Sequence, residues 1–320
     1  MFRGYRIAQL LMEKPELDYC LLSADHSVWY YIDNALSPIM LEKFHQFHID
    51  EDVHIFLNNS LKISNSICLQ VYYSLFTSLL SFIFTKTSIN GILGRGGMHL
   101  FSLNQLQEFL DIPSDWISFD KRLLDLGAGD GQITATLARL YNFVSVTEAS
   151  KVMEWRLKQR RFKTIPVDSW HQYGNYHLVS ALNLLDRHYN PSLLLARLHS
   201  VTSRSKSLLL LAVVLPLYQY VEFHPTGSTT RPGNIELVIK GRTFEEQAIS
   251  IVKDVFEPSG FELLKWGKLP YLCEGDFRRP FYHLDDAVFL LKPVTDGLYI
   301  NDYTSDTSTI LTPNRDLISL

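Results

Sequence analysis

Residues 123 to 131 read LLDLGAGDG, in which an apolar run leads into Asp125 and then into Gly127, Gly129 and Gly131. We interpret this stretch as a β-strand, a tight turn and the start of a helix. Glycine adopts positive φ without strain and lets a ligand approach the main chain, so glycines at alternate positions after a strand indicate a ligand-binding loop. The amide groups at the start of the following helix would face the same ligand.

The spacing of the glycines distinguishes between two ligands. A dinucleotide-binding loop requires a glycine five positions after the first, and that position is Gln132. The pattern D/E-x-G-x-G-x-G instead resembles the first motif of class I S-adenosylmethionine-dependent methyltransferases. A second predicted strand, residues 142 to 148, ends in Glu148, where this fold places a carboxylate that accepts hydrogen bonds from the ribose hydroxyls. We therefore expect S-adenosylmethionine as the cofactor, with Asp125, the three glycines and Glu148 as candidate binding residues.

From residue 121 onward, predicted strands and helices alternate, which is typical of a doubly wound parallel sheet. The last two predicted strands, residues 261 to 272 and 286 to 293, are joined without a helix, as in an antiparallel pair. We predict an α/β fold of the class I (Rossmann-like) methyltransferase type, with a seven-stranded, mostly parallel sheet and an N-terminal helical extension. The expected divisions are 1–102 for the extension and a glycine-rich loop, 103–294 for the methyltransferase domain, and 295–320 for a disordered tail.

Residues 66 to 86, SICLQVYYSLFTSLLSFIFTK, are the most apolar stretch of the chain. Its length approaches the ~20 residues of a membrane span. Gln70 and several serines and threonines interrupt it, so we expect a helix buried on the core, and membrane association is the less favoured alternative. The glycine-rich segment around Arg95 that follows is either a linker or a lid over the methionine end of the cofactor.

Composition excludes several classes of protein. The chain has 320 residues, of which 46% are hydrophobic and 20% charged, and a formal net charge of -4, which disfavours nucleic acid as a partner. Its three cysteines form no CxxC pair, and we predict no metal site. The N-terminus lacks the long apolar core of a signal peptide. We expect a cytoplasmic location, with association with the endoplasmic reticulum or mitochondria as alternatives.

The segment SALNLLDRHYNP, residues 180 to 191, follows a predicted strand and places two polar side chains where the reacting methyl group should lie. Asn183 and Asp186 are three positions apart, which lets both point into one pocket. In the structural alternative, Asp186 caps the helix that begins near Pro191, and Asn183 only ends the strand.

Taken together, these motifs resemble the DREV family of protein-histidine N-pros methyltransferases. The resemblance extends from about residue 53 to 294, whereas the first fifty residues and the tail do not share it. It implies methyl transfer from S-adenosylmethionine to the N-pros nitrogen of histidine in His-x-His motifs of protein or peptide substrates. The motifs that carry it are LLDLGAGDG, NLLDR (183–187), LPYLCEGD (269–276), FYHLDDAVFLLKP (281–293), IFLNN (55–59) and TSINGILGRG (87–96).

The resemblance also implies roles for individual residues. Glu148 would hold the ribose, Asn183 and Tyr271 would contact the cofactor, and Asp186 and Tyr282 would contact the target imidazole. Asp186, Asn183 and Tyr282 are therefore the candidate catalytic residues. The segment FRRPF, residues 277 to 281, departs from the family pattern and bears on substrate preference. Two alternatives stay open: a small-molecule methyltransferase of the same fold, and a non-catalytic scaffold that binds the cofactor or a partner.

Overall fold

The computed structural model describes residues 2 to 32, 36 to 225, 230 and 237 to 294. Eight strands form one mixed sheet. In chain order they are β1 (Met98–His99), β2 (Arg122–Leu126), β3 (Phe143–Thr147), β4 (Lys163–Thr164), β5 (Leu178–Leu182), β6 (Leu208–Val214), β7 (Phe261–Glu274) and β8 (Phe281–Pro293). Across the sheet the order is β1-β7-β8-β6-β5-β2-β3-β4.

The sheet confirms the predicted class I methyltransferase architecture. Strands β2 to β6 run parallel, and β8 lies antiparallel between β6 and β7. The prediction of seven strands was one short, because β1 adds an eighth at the edge. In β1, Met98 pairs with Cys273 and His99 pairs with Leu272. A strand of two residues is too short to show the alternation of apolar and polar residues by which strands are predicted.

Helices cover both faces of the sheet. The α-helices of the described residues are α1 (Phe2–Ser23), α2 (Pro38–Glu42), α3 (Glu51–Asn65), α4 (Ile67–Leu80), α5 (Lys86–Leu93), α6 (Leu103–Phe109), α7 (Gln132–Leu137), α8 (Lys151–Gln159), α9 (Pro191–Ser205) and α10 (Phe244–Ser250). Helix α10 continues as a π-helical turn, Ile251–Phe256. Short 3₁₀ helices occupy His26–Tyr30 and Trp170–Gln172.

The two larger apolar clusters fill the space between the sheet and these helices. Ala287 and Phe289 of β8 pack with residues of α9 and α10 on one face, whereas Val288 and Leu290 pack with residues of α6 and α7 on the other. Successive residues of a strand point to opposite faces, which explains this division. Each fully buried large apolar side chain contributes about 1.5 to 3 kcal/mol to folding, so these clusters hold the sheet in place.

The N-terminal residues pack directly on the sheet. Tyr30 and Phe47 belong to the cluster on the α6 and α7 face, and Met40 belongs to the cluster on the other face. The main chain is also joined to β7, because the amide of His45 donates to the carbonyl of Trp266 at 2.7 Å. The predicted disordered tail, 295–320, lies outside the described residues.

Helix α4 corrects the expectation that residues 66 to 86 are buried. Its apolar residues Val71, Leu75 and Leu79 are exposed, whereas Gln70 and Tyr73 are buried. Gln70 faces inward because its Nε2 donates to the carbonyl of Ile63 at 2.9 Å. The length and apolar character that a membrane crossing requires are found in none of the helices among the described residues.

Candidate active site

The glycine-rich loop connects β2 to α7 at the carboxyl edge of the sheet. Gly127, Gly129 and Gly131 have φ values of 70, 57 and 82°, a region that residues with a Cβ rarely adopt. The amides of Gly127 and Ala128 both donate to the carbonyl of Thr147 at 3.0 Å, which ties the loop to the end of β3. The loop therefore has the conformation that its glycines predicted.

Asp125 lies beneath this loop and holds three elements together. Its Oδ1 accepts a hydrogen bond from Ser180 of β5 at 2.7 Å, and its Oδ2 accepts one from Thr134 of α7 at 2.6 Å. Burial raises the pKa of Asp125 to about 6, and the two hydrogen bonds oppose that rise. Both carboxylate oxygens are thus engaged within the protein, and the geometry makes Asp125 a residue that positions the loop.

Replacing Asp125 with Asn is expected to change how stability depends on pH. Because folding raises the pKa of this carboxyl from 3.8 to about 6, the folded protein binds the proton more tightly than the unfolded chain. Stability therefore falls as pH rises between these two values, by up to about 3 kcal/mol relative to the Asn variant. Urea unfolding of both proteins at pH values from about 4 to 7 measures this difference. If the difference in unfolding free energy between the two proteins stays constant over this range, folding does not raise the pKa of Asp125.

Glu148 directly follows β3 and borders the loop. Its Oε2 accepts a hydrogen bond from the amide of Gly129 at 2.9 Å, and its Oε1 accepts one from the amide of Ser150 at 2.8 Å. Burial raises the pKa of Glu148, while the hydrogen bonds from these amides lower it. The structure therefore places a carboxylate beside the glycine-rich loop, at the strand end where we expect the ribose.

Replacing Glu148 with Ala is expected to weaken binding of S-adenosylmethionine by roughly 1 to 3 kcal/mol, the value of charge-assisted hydrogen bonds to one carboxylate. Isothermal titration calorimetry measures the change in Kd. The matched control is Glu154→Ala, since Glu154 lies on α8 and pairs with Lys151 and Lys158 at the surface. Equal affinity of the Glu148 variant and the wild type would remove Glu148 from the cofactor site.

The segment after β5 lies against the same loop. A Cβ added to Gly127 would lie 3.0 Å from Cδ1 of Leu184, so this leucine packs on the loop. Asn183, one residue earlier, has a φ of 53°. Its Nδ2 donates to Oδ2 of Asp286 on β8 at 2.7 Å. The structure thus brings Asn183 to the glycine-rich loop and joins it to a carboxyl from a distant strand.

Asp186 is buried three residues after Asn183, and its charge acts on Asp286. We call Asn183, Asp186 and Asp286 the polar cluster. Its Oδ2 accepts a hydrogen bond from Nε of Arg187 at 3.0 Å. Burial raises the pKa of Asp186, and the adjacent Arg187 guanidinium opposes the rise. Asp186 is not the cap of helix α9, because Oδ1 of Asn190 accepts the hydrogen bond from the amide of Leu193 at 3.0 Å. The structural alternative for Asp186 is therefore wrong.

Three oxygen atoms of this cluster are buried and have no hydrogen-bond partner among the described residues. They are Oδ1 of Asn183, Oδ1 of Asp186 and Oδ1 of Asp286. An amide or ionised carboxylate oxygen accepts hydrogen bonds, and a buried acceptor without a partner costs about 1 to 3 kcal/mol. The cluster is therefore suited to a ligand that carries N–H donors or positive charge.

Strands β7 and β8 place the two candidate tyrosines differently. The buried Tyr271 hydroxyl lies 2.6 Å from Sδ of Met98, whose Cε would lie 3.8 Å from a Cβ at Gly129. Tyr271 thus reaches the glycine-rich loop through Met98. Tyr282 is 40% exposed, and its hydroxyl donates to Oδ2 of Asp276 at 3.0 Å. Tyr282 makes no hydrogen bond to Asp186 in this structure.

The glycine-rich segment around Arg95 also lies against the loop. The amide of Gly96 donates to Oε1 of Glu274 at 3.3 Å, and a Cβ on Gly97 would lie 3.0 Å from Oε1 of Gln132. The Arg95 guanidinium lies over the ring of Tyr73, 5.0 Å from its centroid. The segment therefore lies beside the start of α7, and the choice between a lid and a linker stays a prediction.

One residue of the cluster was missed in the sequence. Asp286 is fully buried and is the hydrogen-bond partner of Asn183. Burial raises the pKa of Asp286 well above its ordinary value, and the charge of Asp186 adds to the rise. Two adjacent acidic residues, Asp285 and Asp286, directly before the apolar run of β8 were the signal available in the sequence. It did not show which residue Asp286 would meet.

Comparison with known families agrees with this geometry. The family model of the DREV methyltransferases matches residues 29 to 293. The chain belongs to the DREV methyltransferase family. It is accordingly an S-adenosylmethionine-dependent methyltransferase. The cofactor carries a cationic sulfonium, an ammonium group and ribose hydroxyls. The buried acceptor of Asn183 and the carboxylate of Glu148 fit these groups.

Solved structures similar to this DREV methyltransferase share only its general fold. A magnesium protoporphyrin IX methyltransferase from Synechocystis is 14% identical, with a TM-score of 0.37 over 60% of this chain and 81% of that one. A TehB-like methyltransferase from Corynebacterium glutamicum is 16% identical, with a TM-score of 0.35 over 54% and 80%. The [4+2]-cyclase SpnF is also 16% identical, with a TM-score of 0.35 over 60% and 82%. Such distant similarity carries no information about the substrate.

Proposed function

We propose that this DREV methyltransferase methylates the N-pros nitrogen of histidine in His-x-His motifs of protein or peptide substrates. The observation that supports this proposal is the buried Oδ1 of Asp186, an acceptor without a partner among the described residues. It lies in the segment that packs on the glycine-rich loop. A neutral imidazole offers one N–H group, which is the donor that this oxygen requires.

Asp186 would select the ring nitrogen that reacts. Neutral imidazole carries its hydrogen on one nitrogen and its lone pair on the other. When Oδ1 of Asp186 accepts the hydrogen of the N-tele nitrogen, the lone pair is on the N-pros nitrogen. S-adenosylmethionine, when bound, supplies an electrophilic methyl group on its sulfonium. The negative charge of Asp186 would also stabilise the positive imidazolium product.

Asn183 and Tyr282 would contribute to positioning. The Nδ2 group of Asn183 is engaged by Asp286, so the Asn183 side chain is held in one orientation with Oδ1 available as an acceptor. Tyr282 is exposed and therefore accessible to an incoming polypeptide. Tyr271 contacts Met98, which in turn lies next to Gly129 of the loop. Orientation of the two reacting groups lowers a barrier of this kind by several kcal/mol, up to roughly 7 to 11 kcal/mol in well-oriented systems.

The direct test is incubation of the purified protein with S-adenosylmethionine and a peptide containing Ala-His-Ala-His. Tandem mass spectrometry locates the methyl group, and amino-acid analysis identifies the ring nitrogen. We expect N-pros-methylhistidine. The control peptide replaces both histidines with Gln and should stay unmodified. Methyl transfer to the N-tele nitrogen, or no product although calorimetry detects cofactor binding, would contradict the proposal and favour a small-molecule substrate or a scaffold role.

A further inference from the structure

Helix α4 and the turn after it present an apolar surface to the solvent. Along the helix, positions four residues apart lie on one face, and here that face points away from the protein. The turn continues it with Phe82 and Ile83, which are 88% and 78% exposed. We call the exposed set the α4 surface; its residues are Ile67, Val71, Tyr72, Leu75, Phe76, Leu79, Phe82, Ile83 and Phe84.

The helix has the reverse of the usual amphipathic arrangement. A surface helix normally packs its apolar side on the core and exposes its polar side. In α4 the buried residues are Gln70 and Tyr73, and Gln70 is held inward by its hydrogen bond to Ile63. The protein itself therefore covers Gln70, whereas Ser74 and Ser78 are exposed among the apolar residues. A contiguous exposed apolar surface of this kind marks an interaction site.

Several polar groups of the turn are satisfied internally. The amide of Ser81 donates to the carbonyl of Thr77 at 2.9 Å, and the amides of Ile83 and Phe84 both donate to the carbonyl of Leu80 at 3.0 and 2.9 Å. The Ser81 hydroxyl donates to the carbonyl of Ser78 at 2.9 Å. Backbone that enters hydrocarbon must satisfy its donors in this way, since lipid tails offer no acceptors.

The distribution of charge around α4 also favours a lipid environment. No Asp, Glu, Lys, Arg or His occurs between Lys62 and Lys86. Both lysines are exposed, one at each end of the uncharged segment. Phospholipid headgroups present anionic phosphates above an apolar layer, which complements lysines that flank apolar residues. Protein interfaces, in contrast, use about one hydrogen bond per 100 to 200 Å², and Tyr72 is the one side chain of the α4 surface that carries a hydrogen-bonding group.

We propose that the α4 surface docks on the interface of a phospholipid bilayer. Helix α4 would lie along the bilayer plane, with Phe82 and Ile83 inserted among the acyl chains and Lys62 and Lys86 at the headgroups. Helix α5 follows the turn directly and carries the Ser88 hydroxyl 3.2 Å from that of Ser150, near the start of α8. Docking would therefore hold the cofactor site close to the membrane. This inference does not depend on the proposed histidine substrate.

The test is flotation of the purified full chain with vesicles of phosphatidylcholine alone, or of phosphatidylcholine with phosphatidylserine. We expect the wild type to float with both, and more strongly with phosphatidylserine. The double variant Phe82→Ser/Ile83→Ser should lower the vesicle-bound fraction about tenfold or more, because it removes both inserted side chains. It should retain the wild-type unfolding temperature and cofactor affinity, since both side chains are exposed.

The matched control is the double variant Ile117→Ser/Phe119→Ser. These side chains are 70% and 75% exposed in the loop before β2, away from α4 in the sequence, and their loss should leave flotation unchanged. Absence of wild-type flotation with both vesicles overturns the proposal, as does an equal loss in the two double variants. Self-association of the wild type that Phe82→Ser/Ile83→Ser abolishes, without vesicle binding, would overturn it and assign the surface to a second copy of the chain.

Discussion

Replacing Asp186 with Asn is expected to lower turnover of a His-x-His peptide by about a hundredfold or more, which corresponds to the ~3 kcal/mol that one preorganised electrostatic contact contributes in a dry site. The variant keeps the shape of the side chain but loses the negative charge that would stabilise the imidazolium. The Asn side chain carries both a donor and an acceptor, so it would no longer favour the imidazole tautomer that has its hydrogen on the N-tele nitrogen. Single-turnover and steady-state rates with the peptide measure the loss.

A measurement of cofactor affinity distinguishes a catalytic role of Asp186 from a structural one. The Kd for S-adenosylmethionine, measured by calorimetry, should stay within about threefold of the wild-type value, since the hydrogen bond implied for Asp186 is to the substrate. The matched control is Asp120→Asn, because Asp120 is exposed and pairs with the neighbouring Lys121. Wild-type turnover in the Asp186 variant would exclude the role that we propose.

Replacing Asp286 with Ala is expected to lower the free energy of unfolding by roughly 2 to 4 kcal/mol, because the change leaves a cavity and removes the acceptor of the buried Asn183 amide. The strained φ of Asn183 would then lack its tertiary support. We expect turnover to fall with stability, since Asn183 would no longer be held in one orientation. Urea unfolding and peptide methylation measure the two effects.

The Asn variant of Asp286 should behave differently. Burial raises the pKa of Asp286 well above its ordinary value, which favours an uncharged side chain at this position. An amide supplies both an acceptor and a donor without charge, so Asp286→Asn should stay within about 1 kcal/mol of the wild type. Asp285→Ala is the control on the same strand, because Asp285 pairs with Lys268 at a more exposed position. If Asp286→Asn destabilises the protein as much as Asp286→Ala, the folded protein requires an ionised carboxylate at this position.

The cofactor half of the site was predictable because its signals are local. Positive φ at the glycines and the position of Glu148 at a strand end depend on residues within one strand, turn and helix, and the structure contains both features. The parallel order of the central strands was likewise predictable from the alternation of strands and helices. The sequence did not reveal that Asp125 lies beneath the loop, since its partners Thr134 and Ser180 belong to other elements.

The prediction for α4 failed for a physical reason. An apolar run indicates which residues avoid water, but the orientation of a helix depends on which side meets its neighbours. Helices α3 and α5 contact α4, and the inward hydrogen bond of Gln70 turns the apolar side outward. The pattern of apolar residues within 66 to 86 contains no information about these neighbouring helices.

The sequence by itself determined the class of fold, the glycine-rich loop and the cofactor, because each follows from short-range conformational preference and from the period of apolar residues. Tertiary structure alone decided which polar groups meet. Asn183 and Asp286 are 103 positions apart, and they meet only because the final strand returns antiparallel to β6 beside the end of β5. That contact depends on strand order and register, which no local pattern encodes, and it sets the burial and charge of the site.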